Sequence, residues 1–165
     1  MRAPPDLIEH LPRLRRYARA LTRDSGRADD LVQDTLERAL ARLDRWQPGS
    51  DLRAWLFTLM HNLFVNQIRA RGAQETVIDD APDQPVSGGQ LETMVVRDIH
   101  AALGRLPEAQ REVLLLVGLE QFGYAEAAQV LGVPIGTVMS RLARARENMR
   151  RMLAAESAVT LRRVK

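Results

Sequence analysis

Between residues 137 and 151 this 165-residue chain places hydroxyls and guanidiniums at helical spacing. Thr137, Ser140, Arg141, Arg144 and Asn148 fall away from a periodic apolar stripe of Val138, Leu142, Ala145, Met149 and Met152. Arg146 adds a further guanidinium. Such groups supply the contacts to phosphates and base edges that a major groove requires. A second set is acidic. Asp30, Gln33, Asp34 and Glu37, with Asp29 beside them, share a helix face by spacings of three and four. Paired carboxylates can do acid–base work or hold a metal, but neither a nearby histidine nor a glycine-rich loop accompanies them. A protein-docking face or a solvated helix face remains. The third set mixes Trp55, Phe57 and Phe64 with Arg53, His61, Asn62, Asn66, Gln67, Arg69 and Arg71. Rings offer stacking platforms for unstacked bases, amides read edges and arginines track phosphate. Plain core packing accounts equally well for Trp55, Leu56, Leu59 and Leu63, but not for Asn62, Asn66 and Arg69.

The elements that position these groups read as helices throughout, with no convincing alternation of period two. Residues 6–21 form one helical region restarted at Pro12, and a turn covers 22–26. A long amphipathic helix runs from Arg27 to Trp46. Gln47-Pro48-Gly49-Ser50 is a loop, and Ser50 or Asp51 can cap the helix that continues to Arg71. Gln90 to Leu103 is helical again, and Pro107 starts another helix over residues 108–117. Tyr124 to Leu131 then meets Gly132, which can take the positive φ of a sharp turn. Pro134 sits at the start of the next helix, where its missing N–H costs nothing. The pair reads as a helix-turn-helix. Residues 155–165 read as a frayed tail.

Charge divides the chain in the same way. Residues 1–72 carry a net +4, residues 73–92 a net −5 and residues 93–165 a net +4. The acidic stretch holds Glu75, Asp79, Asp80 and Asp83, with Pro82, Pro85, Gly88 and Gly89, and reads as a linker. The fold class is therefore all-α: two small helical domains joined by a flexible linker, divided as 1–71, 72–91 and 92–165. No cysteine is present, so disulfides and thiolate metal sites are excluded. His10, His61 and His100 are too dispersed for a zinc cluster. No catalytic constellation, metal-ligand set or cofactor motif is expected. No apolar run approaches the roughly 20 residues of a membrane helix, so the chain is expected to be cytoplasmic without membrane insertion.

Four blocks, in order, resemble the sigma-70 family of bacterial RNA polymerase sigma factors, in its compact extracytoplasmic-function form. They are ADDLVQDTLERAL, DLRAWLFTLMHNLFVNQIR, LPEAQREVLLL and YAEAAQVLGVPIGTVMSRLARARENMR. The resemblance covers nearly the whole chain outside the linker and the ends. It implies a region 2-like helical bundle and a region 4-like helix-turn-helix, with no enzymatic activity of its own. Asp29, Asp30, Gln33, Asp34 and Glu37 would dock on the β′ clamp helices of core polymerase, and the second module on the β flap. Arg53, Asn62, Asn66, Arg69 and Arg71 would serve the −10 element, with the Pro48 to Arg53 loop near a flipped base. Thr137, Ser140, Arg141, Arg144 and Arg146 would serve the −35 element. An anti-sigma factor is an implied partner. Met139 departs from the family pattern, where many relatives carry arginine or lysine; methionine cannot donate a hydrogen bond to guanine. The eighteen residues 72–89 span at most about 60 Å extended. Promoter elements roughly seventeen base pairs apart lie about 58 Å from each other. The alternative is a stand-alone helix-turn-helix regulator binding duplex DNA as a dimer, and a helical adaptor binding only protein is a third class.

Overall fold

A computed structural model describes residues 5–73 and 90–163. All regular structure among them is helical. Helix α1 (Leu11–Thr22) follows a 3-10 turn over Ile8–His10 and carries Pro12 in its first turn, where no hydrogen bond is lost. It ends at Arg23, whose left-handed φ of 58° lets its N–H bond Arg19 O at 2.9 Å. Asp24 then caps α2 (Ser25–Ala41), its carboxylate accepting from Arg27 N at 2.9 Å. Helix α2 stops at Ala41, five residues short of the sequence expectation. Arg42 leaves helical geometry at φ −120°, and a 3-10 turn over Leu43–Arg45 leads to an extended Trp46. Asp51, rather than Ser50, caps α3 (Leu52–Gly72) through Ala54 N at 3.2 Å.

Leu14, Tyr17, Ala18 and Leu21 of α1 face Ala28, Leu31, Val32 and Ala39 of α2, and Leu56, Phe57, Met60 and Phe64 of α3 close this three-helix layer. The acidic linker residues Glu75, Asp79, Asp80 and Asp83 lie outside the described residues.

The second module comprises α4 (Gln90–Arg105), α5 (Glu108–Leu114), α6 (Tyr124–Leu131) and α7 (Ile135–Arg163). Helix α5 relaxes into a π-turn over Leu115–Leu119, and Gln121 takes φ 58°. At the start of α6, Glu126 reaches back to accept from Gly123 N at 2.8 Å. Gly132 ends α6 at φ 64°, and the chain turns into α7. Helix α7 is continuous to Arg163, so the expected frayed tail is helix; an Arg105–Glu156 ion pair at 3.6 Å and α4 packing hold it.

The two modules share one apolar core. Phe57 of α3 sits between Tyr17 of α1 and Phe122 of the loop before α6, edge to face, with centroids 5.1 and 5.2 Å apart. Arg111 on α5 ties the joint from the polar side. Its guanidinium donates to Leu21 O at 2.9 Å across the joint, and to Leu103, Leu106 and Gly104 carbonyls at 2.8, 3.1 and 3.3 Å. Carbonyls at and just beyond the ends of α1 and α4 are gathered by one planar cation.

Candidate functional site

Three surfaces carry the residue sets singled out by the sequence. On α2, Asp29, Asp30, Gln33, Asp34 and Glu37 are all exposed. Gln33 Nε2 donates to Glu37 at 3.1 Å, and Gln67 of α3 reaches Asp34 at 3.4 Å. The stripe borders a shallow groove between α1 and α2. Leu11, Arg15 and Arg19 form one wall; Val32, Leu36 and Leu40 form the other. Leu40 is 62% exposed. Acidic groups beside an uncovered leucine make an amphipathic face, which a merely solvated helix would not need. Among the described residues no group of three or more His, Asp or Glu could hold a metal.

On α3 the mixed aromatic and amide set separates by direction. Phe57 and Phe64 are buried and Trp55 is half-buried against the same core, so these rings are packing groups rather than stacking platforms. Asn62, Asn66, Arg69 and Arg71 are exposed along the C-terminal half of the helix. Arg53 does not join them. Its guanidinium lies 4.1 Å from the Phe122 ring centroid and donates to Glu120 O at 3.1 Å. His61 also points into the joint, where Nδ1 meets the Glu112 carboxylate of α5.

On α7, Ser140, Arg144 and Arg146 are exposed, whereas Thr137 and Arg141 are half-buried on the flank. Ser140 Oγ donates to Thr137 O at 3.1 Å. Asn148, expected to face outward, is half-buried and donates to Gln110 of α5 at 2.8 Å, fixing α7 to its own module. Further along α7, Glu147 pairs with Arg150 at 3.0 Å and Arg151 at 3.3 Å.

The joint between modules was not legible as a site. Glu120, in the loop after α5, is buried, and Oε1 accepts from Arg16 Nη2 at 2.9 Å and Nε at 3.1 Å. Its Oε2 has no hydrogen-bond partner. The Tyr17 hydroxyl nearby is buried and also unpartnered. Burial, then the carboxylates of Glu112 and Glu120, push the Tyr17 phenol well above its ordinary range. Burial, then the neighbouring Arg23, lower the Arg111 guanidinium, with Glu108 opposing and Arg27 adding to the effect. One sequence signal was available: Phe122 is an aromatic in a polar loop, with no helix of its own to pack.

Comparison with known proteins gives this geometry its context. Residues 7–61 match the family described as the Sigma2 domain of PhyR, and residues 97–149 match Sigma-70, region 4. The chain is 41% identical over 155 residues to the ECF RNA polymerase sigma factor EcfG of Rhodopseudomonas palustris (strain TIE-1), covering 93% of this chain and 86% of that protein. It superposes on the sigma factor RpoE of Bartonella quintana, solved in complex with the anti-sigma factor NepR. That match has a TM-score of 0.79 and 39% identity, over 90% of this chain and 94% of the other. It also superposes on CnrH in complex with the cytosolic domain of CnrY, with a TM-score of 0.65 and 30% identity, over 90% and 85% of the two chains.

Proposed function

The chain belongs to the ECF RNA polymerase sigma factors, and from that premise we propose how its surfaces divide the work of initiation. It is not an enzyme; core polymerase performs the chemistry, and this subunit directs it to promoter DNA. The acidic α2 face, with the Leu36 and Leu40 groove beside it, docks on the β′ clamp helices. Asn62, Asn66, Arg69 and Arg71 capture the −10 strand, and the start of α7 with Arg141, Arg144 and Arg146 takes the −35 element. The modules divide as 1–71 and 92–165 around a linker at 72–91, with region 4 docking on the β flap. The site of action is the bacterial cytoplasm; among the described residues no helix is long and apolar enough to cross a membrane. Two similar structures are complexes with NepR and with CnrY, which supports an anti-sigma partner here.

One observation carries this reading. The acidic face of α2 and the basic faces of α3 and α7 are exposed at once on separate helices, while the buried carboxylates of Glu112 and Glu120 are spent on the joint. The joint adds a condition. Helix α6 packs on both α3 and α7, and in a compact chain of this length two surfaces stand no more than about 40 Å apart. Promoter elements about 58 Å apart cannot both be gripped across that gap. The compact form must therefore part before both elements are held, and parting frees Arg53 from Phe122 and Glu120 for the −10 strand.

Run-off transcription with core polymerase on a randomised promoter library tests the assignment. Asp30→Ala with Asp34→Ala should weaken core binding about tenfold, and Arg141→Ala with Arg144→Ala should weaken promoter binding by a similar factor. Core affinity unchanged by the first pair, or promoter use unchanged by the second, would remove that face from the assignment.

A further inference from the structure

The start of α7 presents a face that the polar contact set does not explain. Ile135 is 47% exposed and Met139 is 50% exposed. Ala143 is exposed as well. Residues four apart lie on one helix face, so Ile135, Met139 and Ala143 form one apolar stripe over the first turns. It flanks the buried stripe of Val138, Leu142 and Ala145 and is open to solvent. Gly136 and Ser140 run beside it, both exposed, and a Cβ on Gly136 would meet open space. The Ser140 hydroxyl is already bonded to Thr137 O within the helix. This flank is therefore apolar or small and carries no side-chain donor beyond the Ser140 hydroxyl, whose proton is already engaged. Arg141 and Arg144 sit on the opposite flank of the helix, and Arg146 lies two turns further along the stripe's own face.

We propose that Ile135 and Met139 read the −35 element by packing on thymine C5-methyl groups in the major groove, with the flanking arginines holding phosphates. The inference rests on α7 being the −35 reader and names how it discriminates. The thymine methyl is the one apolar group that base pairs display in the major groove, so an apolar stripe without donors selects for it. A small residue at 136 lets the helix approach the groove floor. A protein partner fits the stripe poorly. Three side chains fall far short of the roughly 800 Å² per partner of a specific protein interface, and the exposed guanidinium of Arg144 stands on the other flank of the same helix.

The test uses the whole protein with core polymerase. Selection from a promoter library randomised at −35 gives the preferred sequence for wild type, Met139→Ala and Ile135→Ala. Each selected thymine is then replaced, one at a time, by deoxyuridine, which removes only the methyl. For wild type, deoxyuridine at one or two positions should reduce open-complex formation about fourfold, the factor expected for burying one methyl. Met139→Ala or Ile135→Ala should abolish that penalty at one position while leaving response to the other bases in place. Both side chains are exposed, so helix content and melting should be unchanged. A selected −35 element without thymine, or deoxyuridine penalties identical in wild type and both variants, would overturn the proposal. Failure of the underlying reading looks different: wild type would then initiate with no −35 preference at any position.

Discussion

The two helices proposed to face DNA are held in opposite ways. Helix α3 is buried on several sides, by Leu56, Phe57, Leu59, Met60 and Phe64, and its proposed reading residues occupy only what the core leaves free. Helix α7 buries a single stripe, and the rest of its first turns is open apart from the half-buried Thr137 and Arg141. The difference follows from position. Helix α3 is the element on which both modules converge, through Phe57 to Tyr17 on one side and to Phe122 on the other. Helix α7 packs mainly on elements of its own module, α4, α5 and α6. A substitution on the buried side of α3 therefore touches stability, the joint and the −10 face together. A substitution on the outward side of α7 touches recognition alone.

The strongest way to break this contrast is Phe57→Ala. It deletes a buried ring that contacts two others, and large-to-small changes of this kind cost about 3–5 kcal/mol. Urea unfolding should show that loss, and open-complex formation should fall with it. Met139→Ala on α7 should move the same unfolding midpoint by less than about 0.5 kcal/mol. Equal midpoints for the two variants would mean that α3 is not the shared support.

How much of this was readable from residues alone also divides between the helices. The α7 stripe of Val138, Leu142 and Ala145 followed from periodicity, because the helix has one buried side and its pattern reports that side. Helix α3 was harder. A helix buried from several directions has no single polar face, so Phe57 and Phe64 could be read either as core or as stacking platforms. The acidic run on α2 was legible, since Asp30, Gln33, Asp34 and Glu37 lie on one exposed face. The early end of α2 was not, because Leu43 continues the apolar period although Arg42 breaks the helix. The joint was least visible. Arg111 bonds carbonyls, which no side-chain pattern marks. Glu120 and Arg16 are 104 positions apart, and only tertiary packing relates them.

A milder change separates the joint from the core. Arg16→Ala leaves the buried Glu120 carboxylate without its cation. Removing one partner of a fully buried pair costs about 3–5 kcal/mol; because the Arg16 side chain is 53% exposed, about 2 kcal/mol is expected after solvent screening. The loss falls on the compact form, since an opened joint hydrates Glu120. Small-angle scattering should report a larger radius of gyration while helical content stays constant. Adding Glu120→Gln removes the stranded charge and should restore compactness, so the two effects should not add. Additive losses would place the destabilisation elsewhere than in this pair.

The smallest expected effect tests the joint by pH. The Tyr17 phenol is held above its ordinary range by burial and by Glu112 and Glu120. A raised folded value favours the neutral phenol, so its contribution to stability is fully present below pH about 10. Above that pH the unfolded chain releases a proton that the folded chain keeps. Stability then falls by up to about 1.4 kcal/mol per pH unit until the folded phenol also ionises. Tyr17→Phe removes the titrating group together with a buried hydroxyl that has no partner. At neutral pH the variant should match wild type or exceed it by about 1 kcal/mol, because an unsatisfied buried group is removed. Urea midpoints between pH 8 and 11 should diverge, with wild type declining above pH 10 and Tyr17→Phe holding a flatter course. Tyr124, 37% exposed at the start of α6, remains in both proteins and serves as the internal control. Parallel alkaline declines would show that Tyr17 does not hold the joint in its neutral form, and α3 would then lose one of its two aromatic anchors as a pH-dependent support.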